Sequence, residues 1–341
     1  MKVFTINSET SYILDPVSPR MASKDISSLI YKYKNSSRRR HRYCFHQNPK
    51  VDLHDIIICY DSKTYIPPNK HIGKVESLTI LSGTIDFFLF NDSGIVYDYR
   101  RLSSFKSGKP FYVRVPPNVW HGLRVVGDEP VIIKETISGP YDSLTLKWAN
   151  FAPAENANNE NGFKWYDDIF NECRDKKIKI DSEEIFEKIN DTVFRSNQQL
   201  VTVSLAQLQP IIEAAKKSNL KRARLCCHLG IEEKLQEMFI VLVKDVDIEE
   251  SIHIRKDESL SVIHGEGHYV FFNEDGSLRE NIKLSKFNID LNSSEESFFV
   301  RINRYVSHKI KVDSDYMLIH EATTGPFIKF DTDYKILRID Q

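Results

Sequence analysis

The sequence predicts a mainly β protein of two similar units, each a sandwich or barrel of short strands. Three observations carry this expectation. The thirteen residues His71 to Gly83 return as His253 to Gly265, with seven identities and both copies keeping His-x4-Glu-x6-Gly. Further matches keep the same order along the chain with small insertions, which marks duplication of a whole domain rather than a solenoid of short repeats. Within each copy, runs rich in β-branched and aromatic residues are bounded by turn residues at regular spacing. A chain of 341 residues fits two domains, each long enough to bury its own core.

Taken in order, Val3-Phe4 with Asn7 matches Val193-Phe194 with Asn197. Each unit then opens with one helix, near Ile26 to Tyr33 and near Leu205 to Lys217, and Ser204 suits the N-cap of the second. Arg40 to His46 matches Arg222 to His228. Asp55 to Tyr60, Ser77 to Leu81 and Asp86 to Phe90 read as strands, bounded by Pro67-Pro68, Gly83 and Asn91 to Gly94. Phe111 to Val115 matches Phe298 to Ile302, His121 matches His308, and Glu135 with Gly139-Pro140 matches Glu321 with Gly325-Pro326. The boundaries follow as a first domain at 1–154, a linker at 155–191 and a second domain at 192–341. In the linker, Trp165, Ile169, Phe170 and Cys173 fall at helical spacing, and a second helix is expected from Asp181 with Ile185, Phe186 and Ile189 on its apolar face. These helices are expected to bridge or brace the two barrels.

Composition narrows the function. The formal charge is −1 and the pI about 6.8, so nothing in the bulk charge favours nucleic acid or a membrane surface. The first residues lack a long apolar stretch, and no run approaches a membrane span. Five cysteines without a C-x-x-C pair argue against a disulfide framework or zinc knuckle. A cytoplasmic protein is expected.

The chemistry-bearing set is His71, Glu76 and His121 in the first unit and His253, Glu258 and His308 in the second. Imidazoles and a carboxylate converging from separate strands suit a divalent transition metal, and two histidines with one carboxylate also suit a non-haem iron site. Zinc, iron, manganese and nickel are all compatible by residue type.

R-x-R-x-C-x-H, H-x4-E-x6-G, the lead-in Pro117 to His121 and the closing E-x3-G-P resemble the WbuC-type cupin-fold metalloproteins, a family associated with surface-polysaccharide gene clusters. The resemblance covers residues 1–150 and again 192–330, so the chain looks like a bicupin. It implies a double-stranded β-helix (jelly-roll) barrel in each half, each preceded by a helix and joined by a partly helical linker. It also implies a metal inside the barrel. The chain departs from the usual cupin pattern H-x-H-x3-4-E: the first histidine is replaced by Asn69 and by Ser251. Asn69 still offers a carbonyl oxygen as a ligand, and Ser251 is a poor substitute, so the first site is the stronger candidate.

Other residues carry two readings each. Arg40, Arg42 and His46, and likewise Arg222, Arg224 and His228, alternate and so share one strand face. They form an inward row for a phosphate or sugar acid, or else pair with local acids such as Asp55 and Glu237. Arg114, Arg301 and Lys74 are further candidates for anion binding; a surface role is the plainer reading for Lys74. Glu135 and Glu321 are candidate proton-transfer groups, partners orienting a histidine, or ordinary salt-bridge partners of Arg114 and Arg301, and His54 is a catalytic candidate in the first unit only. His264 and His268 occur only in the second unit, and a solvent-facing strand is their plainer explanation. Together these point to a metal-dependent enzyme acting on a sugar or sugar nucleotide, an isomerase or epimerase, and possible as a homodimer. The alternatives are a non-catalytic carbohydrate-binding module, an iron-dependent oxygenase, or a metal-free epimerase.

Overall fold

The computed structural model describes residues 1–155, 159–176, 186–289, 295–328 and 332–333. It contains two antiparallel jelly-roll barrels in tandem. In the first, Leu53–Tyr60, Val131–Ser138, Glu76–Ser82 and Tyr112–Val115 lie side by side in one sheet. The facing sheet carries Asn69–His71, Trp120–Val125, Thr84–Phe90 and Val96–Ser103. The second unit repeats the scheme with Leu235–Val243, Tyr316–Thr324, Glu258–His264 and Ser297–Ile302.

The period-2 alternation of a strand explains how each wall is built. Along Leu53–Tyr60, Ile56, Ile58 and Tyr60 fill the barrel, whereas Ile57 and Cys59 pack outward under helix α1 (Ile26–Lys34). Along Leu235–Val243 the outward residues Phe239 and Val241 instead meet the later helix of the second unit, Leu205–Lys217. That helix begins as its sequence suggests, with Ser204 and Gln207 forming a reciprocal capping box. Gly83 and Gly265, which close the repeated motif, turn the chain at φ of 83° and 89°, a left-handed conformation that favours glycine.

Four expectations need correction. The hairpin Lys2–Asn7 with Thr10–Leu14 corresponds to Glu187–Lys188 with Val193–Arg195; Thr10 pairs with Arg42 as Val193 pairs with Arg224. Val193 is therefore equivalent to Thr10, not Val3. Helix α2 (Glu160–Asp175) packs Tyr166 and Cys173 against Phe88, Phe90 and Tyr65, so it braces the first barrel and does not bridge the two. The start of the helix expected from Asp181 lies outside the described residues, and the adjoining Glu187–Lys188 is a strand, so Ile189 is not on a helical face. Lastly, the two units are not separate in their pairing. Arg20–Ala22, before α1, adds a strand to Ser297–Ile302 of the second unit. Val201–Val203, before the second unit's helix, adds one to Tyr112–Val115 of the first. Among the described residues, no helix is long and apolar enough to cross a membrane.

Candidate metal centres

The first set assembles at one end of the barrel. His71 ends the strand Asn69–His71, Glu76 starts the strand Glu76–Ser82, and His121 lies on Trp120–Val125, directly opposite Asn69. Glu76 Oε2 lies 2.8 Å from His121 Nε2 and 3.4 Å from His71 Nε2. In the second unit, His253 Nε2 lies 2.9 Å from Glu258 Oε2, and in both sets the three possible ligand atoms fall within 4.8 Å of one another.

The protonation pattern fits a cation. His121 Nδ1 lies 3.0 Å from the Val119 carbonyl, and His308 Nδ1 lies 2.8 Å from that of Val306. A carbonyl only accepts, so each Nδ1 carries a proton and Nε2 is the atom left to present a lone pair. At His121 that lone pair faces a buried carboxylate oxygen, Glu76 Oε2, which accepts no well-aligned hydrogen bond. Two facing acceptors need a proton or a metal ion between them. Burial pushes Glu76 upward, but positive charge on the His71 and His121 rings outweighs it and holds the carboxyl well below its usual range, so this buried carboxylate favours a cation beside it. Burial lowers His71, and the Glu76 charge more than compensates, raising it.

The second set is more self-satisfied. The Tyr269 hydroxyl donates to Glu258 Oε1 at 3.0 Å, and Ser251 Oγ stands 3.4 Å from His308 Nε2. Burial pushes His308 down. Tyr269 escaped the sequence reading, although its place holds Phe87 in the first unit and a single extra hydroxyl was the available signal.

A cavity of about 570 Å³ opens from the first set. Asn69, His46, His54 and Glu135 line it, as do Arg40 and Arg42, so the alternating row does face inward. Burial and the Glu76 charge push the Glu135 carboxyl up to about 7; burial and Glu258 push Glu321 to about 8. Arg40 is held by Glu9 at 3.0 Å and Glu155 at 3.1 Å, acids other than the expected Asp55. Arg42 donates to Thr10 and has no carboxylate within ion-pair distance among the described residues. His54 is stacked on His46 with centroids 4.1 Å apart, its Nε2 3.0 Å from the Val51 carbonyl, and burial lowers both rings. Tyr12, Tyr60 and Trp148 also line the cavity, on segments where the sequence showed no chemical motif.

Arg114 and Arg301 do not serve this cavity, which corrects the expectation. Strand alternation turns them outward, where each is fully buried between the units. Arg114 binds Glu237 at 3.1 Å and Glu233, and Arg301 binds Asp55 at 2.6 Å and Asp257 at 3.0 Å. Ser77 donates across to Glu237, and Ser259 donates to Asp55. Lys74 reaches the Pro140 carbonyl instead of the cavity. In the second unit, Arg222 and Arg224 are exposed, while His228 Nδ1 lies 3.1 Å from the Glu237 carbonyl and 3.2 Å from the Glu237 amide. His268 sits on Asp313 at 3.0 Å and His264 on Tyr316, both apart from the metal set.

A sequence-family model described as Domain of unknown function (DUF6016) matches residues 21–102 and again 203–284. No curated protein matches the chain. Among solved structures, salicylate 1,2-dioxygenase from Pseudaminobacter salicylatoxidans is similar at 12% identity and TM-score 0.55, over 87% of this chain and 81% of that one. A variant of that enzyme in complex with gentisate gives 11% identity and TM-score 0.56, over 94% and 84% of the two chains. The fold is that of a bicupin. Identity this low establishes the bicupin architecture alone. A variant of oxalate decarboxylase from Bacillus subtilis matches at 10% identity and TM-score 0.47, over 85% of this chain and 73% of that one.

Proposed function

We propose that the first barrel of this bicupin is a metal-dependent active site that moves a proton on a small anionic carbonyl compound, of the sugar-acid or sugar-phosphate kind, in an isomerase or epimerase reaction. One observation carries the reading: the His71, Glu76 and His121 set, the Glu135 carboxyl with its pKa near 7 and the unpaired Arg42 share a single cavity. Its volume of about 570 Å³ is in the range of small-molecule sites. His71, Glu76 and His121 would hold the metal, with Asn69 beside them. When bound, the metal supplies Lewis-acid polarisation of a substrate carbonyl. Arg42, exposed at the mouth, binds the substrate anion by a forked contact. Glu135 takes or returns the proton at its carboxyl oxygen, which lines the same cavity as the three metal-ligand candidates. The WbuC-like motifs support the carbohydrate part of this reading. The second centre, with Glu258 tied to Tyr269, is proposed as the weaker metal site.

Elemental analysis of purified protein tests the metal. The expected result is that His121→Ala loses most of the bound metal and His308→Ala a smaller part. A wild-type protein that takes up no divalent metal at neutral pH sinks the reading. Activity is tested on a panel of sugar phosphates and sugar acids in deuterated water. Solvent deuterium is expected in the product, and Glu135→Gln should slow turnover by about 100-fold or more.

A second reading, an iron-dependent oxygenase, is favoured by the two-histidine, one-carboxylate set, which leaves coordination positions open. Oxygen consumption with ferrous iron and gentisate would select it over proton transfer.

A further inference from the structure

We propose that the cleft where the two barrels meet binds a small organic anion with an aromatic body, independently of the metal centres. This cleft, of about 390 Å³, lies between the strand ends Thr79 to Ser82 of the first unit and Val262 to His264 of the second. These are equivalent segments of the duplicated fold, so the cleft sits where the repeat faces itself. Each unit also lends one loop. The first brings Phe105 and Lys106, and the second brings Lys286 and Phe287.

The two loops are built alike. Phe105 stands edge-on to Phe111 with centroids 5.2 Å apart, and Phe287 stands edge-on to Phe298 at 5.0 Å, both at an interplanar angle of 83°. Phe111 and Phe298 are equivalent and fully buried, so each cleft aromatic is held against a fixed partner. The result is a pair of anchored aromatic walls, with Ile80 and Ile263 adding apolar surface.

The charge is one-sided. Among the described residues, the cleft lining contains Lys106, Lys286 and His264 but no aspartate or glutamate. Neither lysine has a carboxylate within ion-pair distance among the described residues, although 48 acidic residues are spread over a chain of net charge −1. Apolar walls closed by two unpaired ammonium groups match an aromatic carboxylate: the ring lies between Phe105 and Phe287 and the carboxylate meets Lys106 and Lys286. Clefts at domain junctions are favoured positions for such ligands.

Calorimetric titration of the full chain with 1-naphthoate tests the proposal. The expected result is one saturable site per chain, weakened by added salt and absent for the neutral 1-naphthamide. The Lys106→Glu/Lys286→Glu double variant, altered only at exposed side chains, should weaken binding about tenfold or more. His121→Ala and Arg42→Glu should leave it unchanged, so loss of the proposed active site would not affect this result. The proposal is overturned by absence of saturable binding, or by binding that survives in the double lysine variant and disappears in Arg42→Glu.

Discussion

Lys134 and Glu135 are neighbours on one strand and serve opposite sides of a barrel wall. Lys134 lies 3.6 Å from Asp55 in the inter-unit network, and Glu135 faces the cavity beside Glu76. Burial with a like charge nearby raises Glu135 to about 7, so the folded protein keeps a proton that the unfolded chain releases near its ordinary value of 4.5. The stability associated with this group is therefore fully present below about pH 4.5 and is lost as pH rises through about 7. In metal-free protein, Glu135→Gln should match wild type near pH 5 and exceed it at pH 8 by on the order of 2 kcal/mol. Urea denaturation in chelator at both pH values measures this, and an advantage confined to pH 5 would contradict it. The site histidines and glutamates were legible because the duplication repeats them at fixed spacing. Tyr269 was not, because only its hydroxyl, set against Phe87, distinguishes the two sites.

Among the strands, the decisive feature is the pair of walls that meet back to back. Glu76–Ser82 and Glu258–His264 carry the candidate ligands Glu76 and Glu258 on their inner faces and Ser77 and Ser259 on their outer faces, each serine reaching an acid of the other unit. Arg301 and Asp55 are fully buried, so removing one leaves the other charge only partly compensated, Asp55 by Lys134 at 3.6 Å and Arg301 by Asp257 at 3.0 Å. Arg301→Met is expected to destabilise by roughly 3 kcal/mol or more. Asp55→Asn added to it should cost much less than the two single changes summed, as a double-mutant cycle in urea would show; strict additivity would refute the pairing. The strands themselves were readable from alternation and turn residues. Their partners across the interface were not, because a repeat reveals which residues are equivalent and not which copy each one serves. A sequence signal was present nonetheless: Asp55 directly precedes the apolar run Ile56 to Cys59 and Lys134 directly follows Val131 to Ile133, the pattern of a charge buried beside core that requires a counterion.

At the scale of the whole molecule, the two jelly rolls and their duplication follow from the sequence pattern, whereas the exchange of Arg20–Ala22 and Val201–Val203 between them does not. Three-residue strands leave little periodicity to read, and pairing across the full length of the chain has no local signature. Expressed separately, residues 1–191 and 192–341 should each be poorly soluble, with Tyr112–Val115 or Ser297–Ile302 left as an open strand edge. Co-expressed, the halves should elute together as one heterodimer; two independently soluble monomers would count against the exchange. The same crossed strands impose an order on synthesis at the ribosome. The first barrel cannot close its sheet until residue 203 has emerged, and Arg20–Ala22 must wait for a partner that begins only at Ser297. For most of that interval the earliest-made segment that pairs outside its own unit has nothing to pair with. The nascent chain is therefore most exposed to mispairing with a neighbour on the same messenger in the stretch before Ser297–Ile302 appears.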